Sequence, residues 1–115
     1  MWMDNHKISW IAYTYCRTVK DDPKVRKFIV YTNHAYRYCK DIGDYPEVRK
    51  HIKDSHHAYY YCLNVKDRPE ISKYITSSQY AYCYCRDVKD RPEVRKYVTD
   101  ESHLEELERR RNVVK

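Results

Sequence analysis

An all-α solenoid of tandem helix-turn-helix units is the fold that the 115 residues predict. Three observations carry that prediction. The chain nearly repeats itself every 23 residues, each unit carries an apolar stripe at helical spacing, and each unit is broken by a similar proline turn.

Cut at Ala12, Ala35, Ala58 and Ala81, the chain reads AYTYCRTVKDDPKVRKFIVYTNH, AYRYCKDIGDYPEVRKHIKDSHH, AYYYCLNVKDRPEISKYITSSQY and AYCYCRDVKDRPEVRKYVTDESH. One domain over residues 1–115 follows: an N-terminal capping extension (1–11), repeats at 12–34, 35–57, 58–80 and 81–103, and a capping helix over 104–115. In the extension Met1, Trp2, Met3, Ile8, Trp10 and Ile11 lengthen the first helix with large apolar residues, expected to seal the open end of the array.

The first helix of each unit shows apolar residues at i, i+3, i+4 and i+7. These are Ala12, Tyr15, Cys16 and Val19, then Ala35, Tyr38, Cys39 and Ile42, then Ala58, Tyr61, Cys62 and Val65, then Ala81, Tyr84, Cys85 and Val88. The turn follows. Asp44, Asp67 and Asp90 each open a D-x-P-E run, in which Asp is expected to accept from open amides of the next helix and Glu to reach back, while Pro is tolerated in the first turn. Asp21-Asp22-Pro23-Lys24 lacks the Glu, which predicts the weakest cap in the first unit. Short second helices come next, with Val25, Phe28 and Ile29 on one face, and likewise Val48, His51 and Ile52, Ile71, Tyr74 and Ile75, and Val94, Tyr97 and Val98. Thr32/Asn33, Asp54/Ser55 and Ser77/Ser78 are the expected caps of the following first helices. After His103 a fifth unit starts in register with Leu104 and Leu107, then turns charged. With helices about 8–10 Å apart, such a stack spans on the order of 40–50 Å.

Composition bounds the function. One Gly and four Pro exclude a turn-rich all-β fold. No run approaches the roughly 18 apolar residues of a membrane span, and no secretory apolar region follows Met1, so a soluble, cytoplasmic chain with no membrane partner is expected. A net charge of +6 favours acidic partners, diluted by 17 Asp and Glu.

The repeat A-Y-x-Y-C-x-x-V-K-D-R-P-E-V-R-K-Y-I, spread over residues 12–103, resembles short tandem helical repeats of bacteriophage and giant-virus proteins. Those read A-Y-x-Y-A followed by a W-P-E or R-P-E turn, and the DUF4116 type of repeat is a more distant likeness. This chain places Cys where Ala is usual, which suits a close helix contact. The resemblance implies a viral accessory protein that manipulates a host factor, and carries over no catalytic residue.

Cys16, Cys39, Cys62 and Cys85 fall one per unit on the buried stripe and read as packing residues too far apart for disulfides. Cys83 falls on the outer face and is the expected reactive thiol. His34, His57 and His103 share one repeat position, which reads as a polar site near a helix start; no metal, cofactor or catalytic residue is assigned. The flank tyrosines Tyr13, Tyr36, Tyr59 and Tyr82 lie beside Arg17, Lys40, Leu63 and Arg86, with Lys89 one turn on. They form either a binding ladder or packing between repeats. Arg37 and Tyr60 belong to a column that varies between units, and Leu63 with Tyr60 makes an apolar spot amid charge. Lys27, Lys50, Lys73 and Lys96, with Arg26, Arg49 and Arg95 beside them, form an expected basic strip. The reading is a non-catalytic interaction protein that inhibits a host protein through one face of the stack. The alternative is nucleic-acid or nucleotide binding through the Tyr/Arg/Lys ladder.

Overall fold

The computed structural model describes residues 4–114, and over them the chain is all-helical, with no strand. Long first helices alternate with single-turn second helices: α1 (Asn5–Thr18), α2 (Pro23–Arg26), α3 (Thr32–Asp41), α4 (Pro46–Arg49), α5 (Ser55–Asn64), α6 (Pro69–Ser72), α7 (Ser78–Asp87), α8 (Pro92–Arg95) and a closing α9 (Glu101–Val114). Each odd-numbered helix packs on the next odd-numbered one, and each second helix lies against the first helix of its own unit. The result is a row 55 Å long, 28 Å wide and 19 Å thick. Met1, Trp2 and Met3, expected to seal the open end, lie outside the described residues.

The stripe predicted to be buried is buried. Ala35, Tyr38, Ala58, Tyr61, Ala81 and Tyr84 are closed to solvent, with Cys16, Cys39, Cys62 and Cys85 beside them. Tyr15 and Val19, both in the first unit, are the exceptions, at 37% and 68% exposed. For Tyr15 the reason is what the other three tyrosines do. Tyr38 donates its hydroxyl to Asp21 at 2.6 Å, Tyr61 to Asp44 at 2.7 Å and Tyr84 to Asp67 at 2.7 Å, each acceptor lying in the turn of the preceding unit. Among the described residues no turn precedes α1, and Tyr15 has neither the acceptor nor the cover.

This corrects the expected role of the turn aspartates. Asp44, Asp67 and Asp90 do not cap the second helices. The N-cap residues there are Tyr45, Arg68 and Arg91, none with a side-chain cap bond. The expected order of cap strength is reversed: in the first unit Asp22 sits directly before Pro23 and accepts from the Lys24 amide at 2.9 Å. One residue further back, Asp21, Asp44 and Asp67 point across the interface instead. The Arg of D-R-P-E completes the contact. Arg68 reaches both Tyr61 Oη (2.8 Å) and Asp44 (3.0 Å), and Arg91 reaches Tyr84 Oη (2.9 Å) and Asp67 (3.0 Å). In the second unit Tyr45 takes the Arg position, and Arg26 stands over its ring at 4.1 Å while bonding Asp21 and Glu47. Gly43 makes room for that ring, since a Cβ there would lie 2.7 Å from it. At the last interface Leu107 replaces the tyrosine; Arg95 and Arg111 hold Asp90, whose Oδ1 is left without a partner.

The expected caps of the first helices also divide. Asp54 does cap α5, through the His57 amide. Ser55 and Ser78 lie one residue inside their helices and accept the loop amides of the next unit: Thr76 and Ser77 for Ser55, Thr99 for Ser78. Ser9 accepts from Tyr31 in the same way, and Thr32 instead donates to Asp54 at 2.7 Å. Trp10 and Ile11 do not seal the end: they are 42% and 51% exposed. Phe28, expected on the inner face of its helix, is exposed for the same reason as Tyr15.

Two outcomes follow. Tyr61→Phe removes a buried bond to a carboxylate and is expected to lower unfolding stability by about 1.5–3 kcal/mol in urea titration, whereas Tyr15→Phe leaves it within about 0.5 kcal/mol. Burial pushes the Asp44 carboxyl up, but bonds from Arg49, Tyr61 and Arg68 outweigh it and hold the group below the usual aspartate range. Its stabilisation is therefore present above the unfolded value near 3.9 and lost as pH falls through the folded one. Asp44→Asn should flatten the fall in stability between about pH 5 and the acid limit, measured by denaturant midpoints across pH.

Candidate interaction surface

Three of the four flank tyrosines reach the next unit through their hydroxyls, each to the residue 28 positions on. Tyr13 donates to Asp41 at 2.8 Å, Tyr59 donates to Asp87, and Tyr36 Oη accepts from Asn64 at 2.9 Å. Tyr13 and Tyr59 are buried as a result, and the expectation that they take part in partner binding is corrected. Tyr36 and Tyr82 remain half-open. The column Asp41, Asn64 and Asp87 shares the 23-residue period and was legible in the sequence, as were Ser9, Ser55 and Ser78; neither was read as a partner of the next unit.

The open tyrosines line two matching depressions 46 residues apart. One, of about 390 Å³, is lined by Asn33, Tyr36, Arg37, His56, His57 and Tyr60. The other, of about 410 Å³, has Gln79, Tyr82, Cys83, Arg86 and His103 among its walls. The imidazoles that the sequence placed at one repeat position fare differently in each unit. His34 is buried against Ser9 (2.8 Å), His57 bonds Asp54 (2.9 Å) and His103 stacks on Tyr82 with ring centroids 4.0 Å apart.

The apolar spot adjoins the first depression, which Tyr60 lines. Leu63 is 40% exposed, and the half-buried Tyr60 ring sits edge-on to Tyr59 (4.9 Å) and His56 (5.0 Å). Exposed Arg17, Arg37 and Lys40 lie on α1 and α3, Arg86 on α7 and Lys89 in the turn after it. The basic heads are in part neutralised. Arg86 bonds Asp87 at 2.7 Å and Lys40 lies 4.0 Å from Asp41. Hydrogen bonds from Arg86 hold the Asp87 carboxyl low, keeping that charge in place on the row.

On the other edge Lys27, Lys50, Lys73 and Lys96 are all exposed, and the Lys27, Lys73 and Lys96 amines stand 5.2–5.3 Å over the rings of Phe28, Tyr74 and Tyr97. The strip is narrower than expected. Arg26 is buried, and Arg49 and Arg95 are half-buried and bound to Asp44 and Asp90. The order of residues along a helix cannot distinguish a guanidinium facing solvent from one turned into the neighbouring turn.

Cys83 is half-buried, not on an open outer face, and burial raises its thiol pKa. Burial pushes the Cys39 and Cys62 thiols up to about 12 and Cys85 to about 11. Asp54, His56 and His57 offer ligand atoms within 4.8 Å of one another, the one such group among the described residues. It sits at the start of α5, where free amides favour an anion over a cation, and Asp54 is already bonded by Thr32 and His57.

Comparison with known proteins returned no matching family model, no similar curated protein and no similar solved structure. The fold alone therefore defines the class, an all-α stack of tandem helical repeats. No helix among the described residues is long and apolar enough to cross a membrane.

Thiol titration checks the cysteine assignment. At pH 8 the folded chain is expected to expose at most Cys83 to an aromatic disulfide reagent, reacting more slowly than a free thiol, and all five cysteines only after unfolding.

Proposed function

We propose that this chain is a non-catalytic interaction protein that binds a partner protein through the outer face of α3, α5 and α7. Tyr60 and Leu63 are the apolar anchor, and Arg37, Lys40, Arg86 and Lys89 are the basic rim. The observation that carries this reading is the placement of an exposed leucine where the neighbouring units present Lys40 and Arg86, beside a half-open tyrosine. An aromatic and aliphatic centre ringed by arginine is the usual anatomy of a protein interface. The partner's complementary face is acidic at its edges. The likeness to viral repeats makes a host protein, inhibited by occupation of its surface, the class of partner.

The nucleic-acid reading is weaker on specific grounds. Base stacking needs free tyrosine faces along a basic track, whereas Tyr13 and Tyr59 are buried and carboxylates at Asp41 and Asp87 interrupt the track. Capture from nuclease-treated host lysate, with Leu63→Glu and Tyr60→Ala alongside, tests the proposal. A specific partner held by wild type and lost roughly tenfold or more with either variant supports it. A partner held equally by all three sinks it. Oligonucleotide binding that weakens steeply with salt and depends on Arg37 and Lys40 would put the nucleic-acid reading in its place.

A further inference from the structure

Each first helix after α1 lays one stripe against the unit before it: His34, Tyr38 and Ile42 in α3, His57, Tyr61 and Val65 in α5, Tyr80, Tyr84 and Val88 in α7. The same register in α1 is Ile8, Ile11, Tyr15 and Val19, which share one helical face. That face is open. Ile11 is 51% exposed, Tyr15 37% and Val19 68%. Phe28 adds to it at 47%, at the position where Tyr74 is half-buried and lines a depression together with Pro46, Arg49 and Lys50 of the preceding unit. The face is also more aliphatic than its counterparts: Ile8 occupies the position of Tyr31, Asp54 and Ser77, and Ile11 that of His34, His57 and Tyr80.

The other end is finished differently. The positions that turn Ser78, Tyr82 and Cys85 toward the next unit are Glu101, Glu105 and Glu108 in α9, all exposed. Terminal faces of a helical array are normally polar so that arrays stay dispersed. This chain has one acidic end face and one apolar end face.

We infer that the apolar face is covered by a second copy of this chain, α1 against α1 about a two-fold axis. The repeat interface, continued past α1, requires an apolar cover, and a second copy offers only one that fits. Head-to-tail docking would press Glu101 and Glu105 onto isoleucines, which takes their carboxylates out of water against an apolar surface. Face to face, the stripes run antiparallel. Ile11 of one copy meets Tyr15 of the other, Ile8 approaches Val19, and none of the four carries a charge. Antiparallel helices also place opposite dipole ends side by side, and an isologous contact closes on itself.

Light scattering on the full chain across a concentration series tests this. The mass is expected to rise to twice the 14.2 kDa of one chain. Ile11→Lys with Val19→Lys, both at solvent-open positions, should return the single-chain mass with unchanged helical circular dichroism; Phe28→Lys gives the same readout if that pair disturbs folding. Leu63→Glu on the outer face should leave the dimer intact, which separates this inference from the proposed partner surface. A monomer at every concentration overturns the inference. So does a dimer that survives the lysine variants, and so does an open-ended series of larger species.

Discussion

The buried tyrosine hydroxyl that crosses from one unit to the turn of the unit before it is the constraint on which the stack depends. A 23-residue unit made of a ten-residue helix and a single helical turn cannot enclose a core. Its apolar stripe becomes a core only when the next unit is set at a fixed height and angle. Tyr38, Tyr61 and Tyr84 do that, because a hydroxyl closed to solvent needs its acceptor and the acceptor is an aspartate of the neighbour. The aspartate in turn needs positive charge, which Arg68 and Arg91 bring back from the tyrosine's own unit. The letters of the turn are thus shared between two units, and the interface is specified polar atom by polar atom as well as by area.

The flank tyrosines add a second tie, and its variation shapes the surface. With Asp at the receiving position the ring is drawn in; with Asn64 it stays half-open. Tyr82 ends in a stack on His103 instead of a carboxylate bond. Openings therefore recur every second unit, and the unit with Tyr60 and Leu63 outside adjoins the first. One substitution in the receiving column changes what the face presents without disturbing the core stripe.

Much of the fold was legible from periodicity. The register of the alanines, tyrosines and cysteines, the place of the proline turns and the charged character of the last helix all stand as read. Capping was misread because Asp-x-Pro-Glu matches a cap and a cross-unit acceptor equally well when only neighbours in sequence are considered. The site was half legible. Leu63, Tyr60, Arg37 and Lys40 are where the spacing placed them, but Tyr13 and Tyr59 turned inward. Helical spacing reports direction from one axis and does not report whether a neighbouring helix stands in that direction.

By itself the sequence determined the class of fold, the unit length, the buried stripe and the register of every unit, since these follow from a local period and from the backbone demands of proline and helix ends. Only the tertiary structure decided which polar groups meet across an interface, which tyrosines remain open, and that the first unit shows an apolar face with no unit of the stack against it. Those outcomes depend on the distance between residues 17 to 28 positions apart, and that distance exists only once two units are stacked.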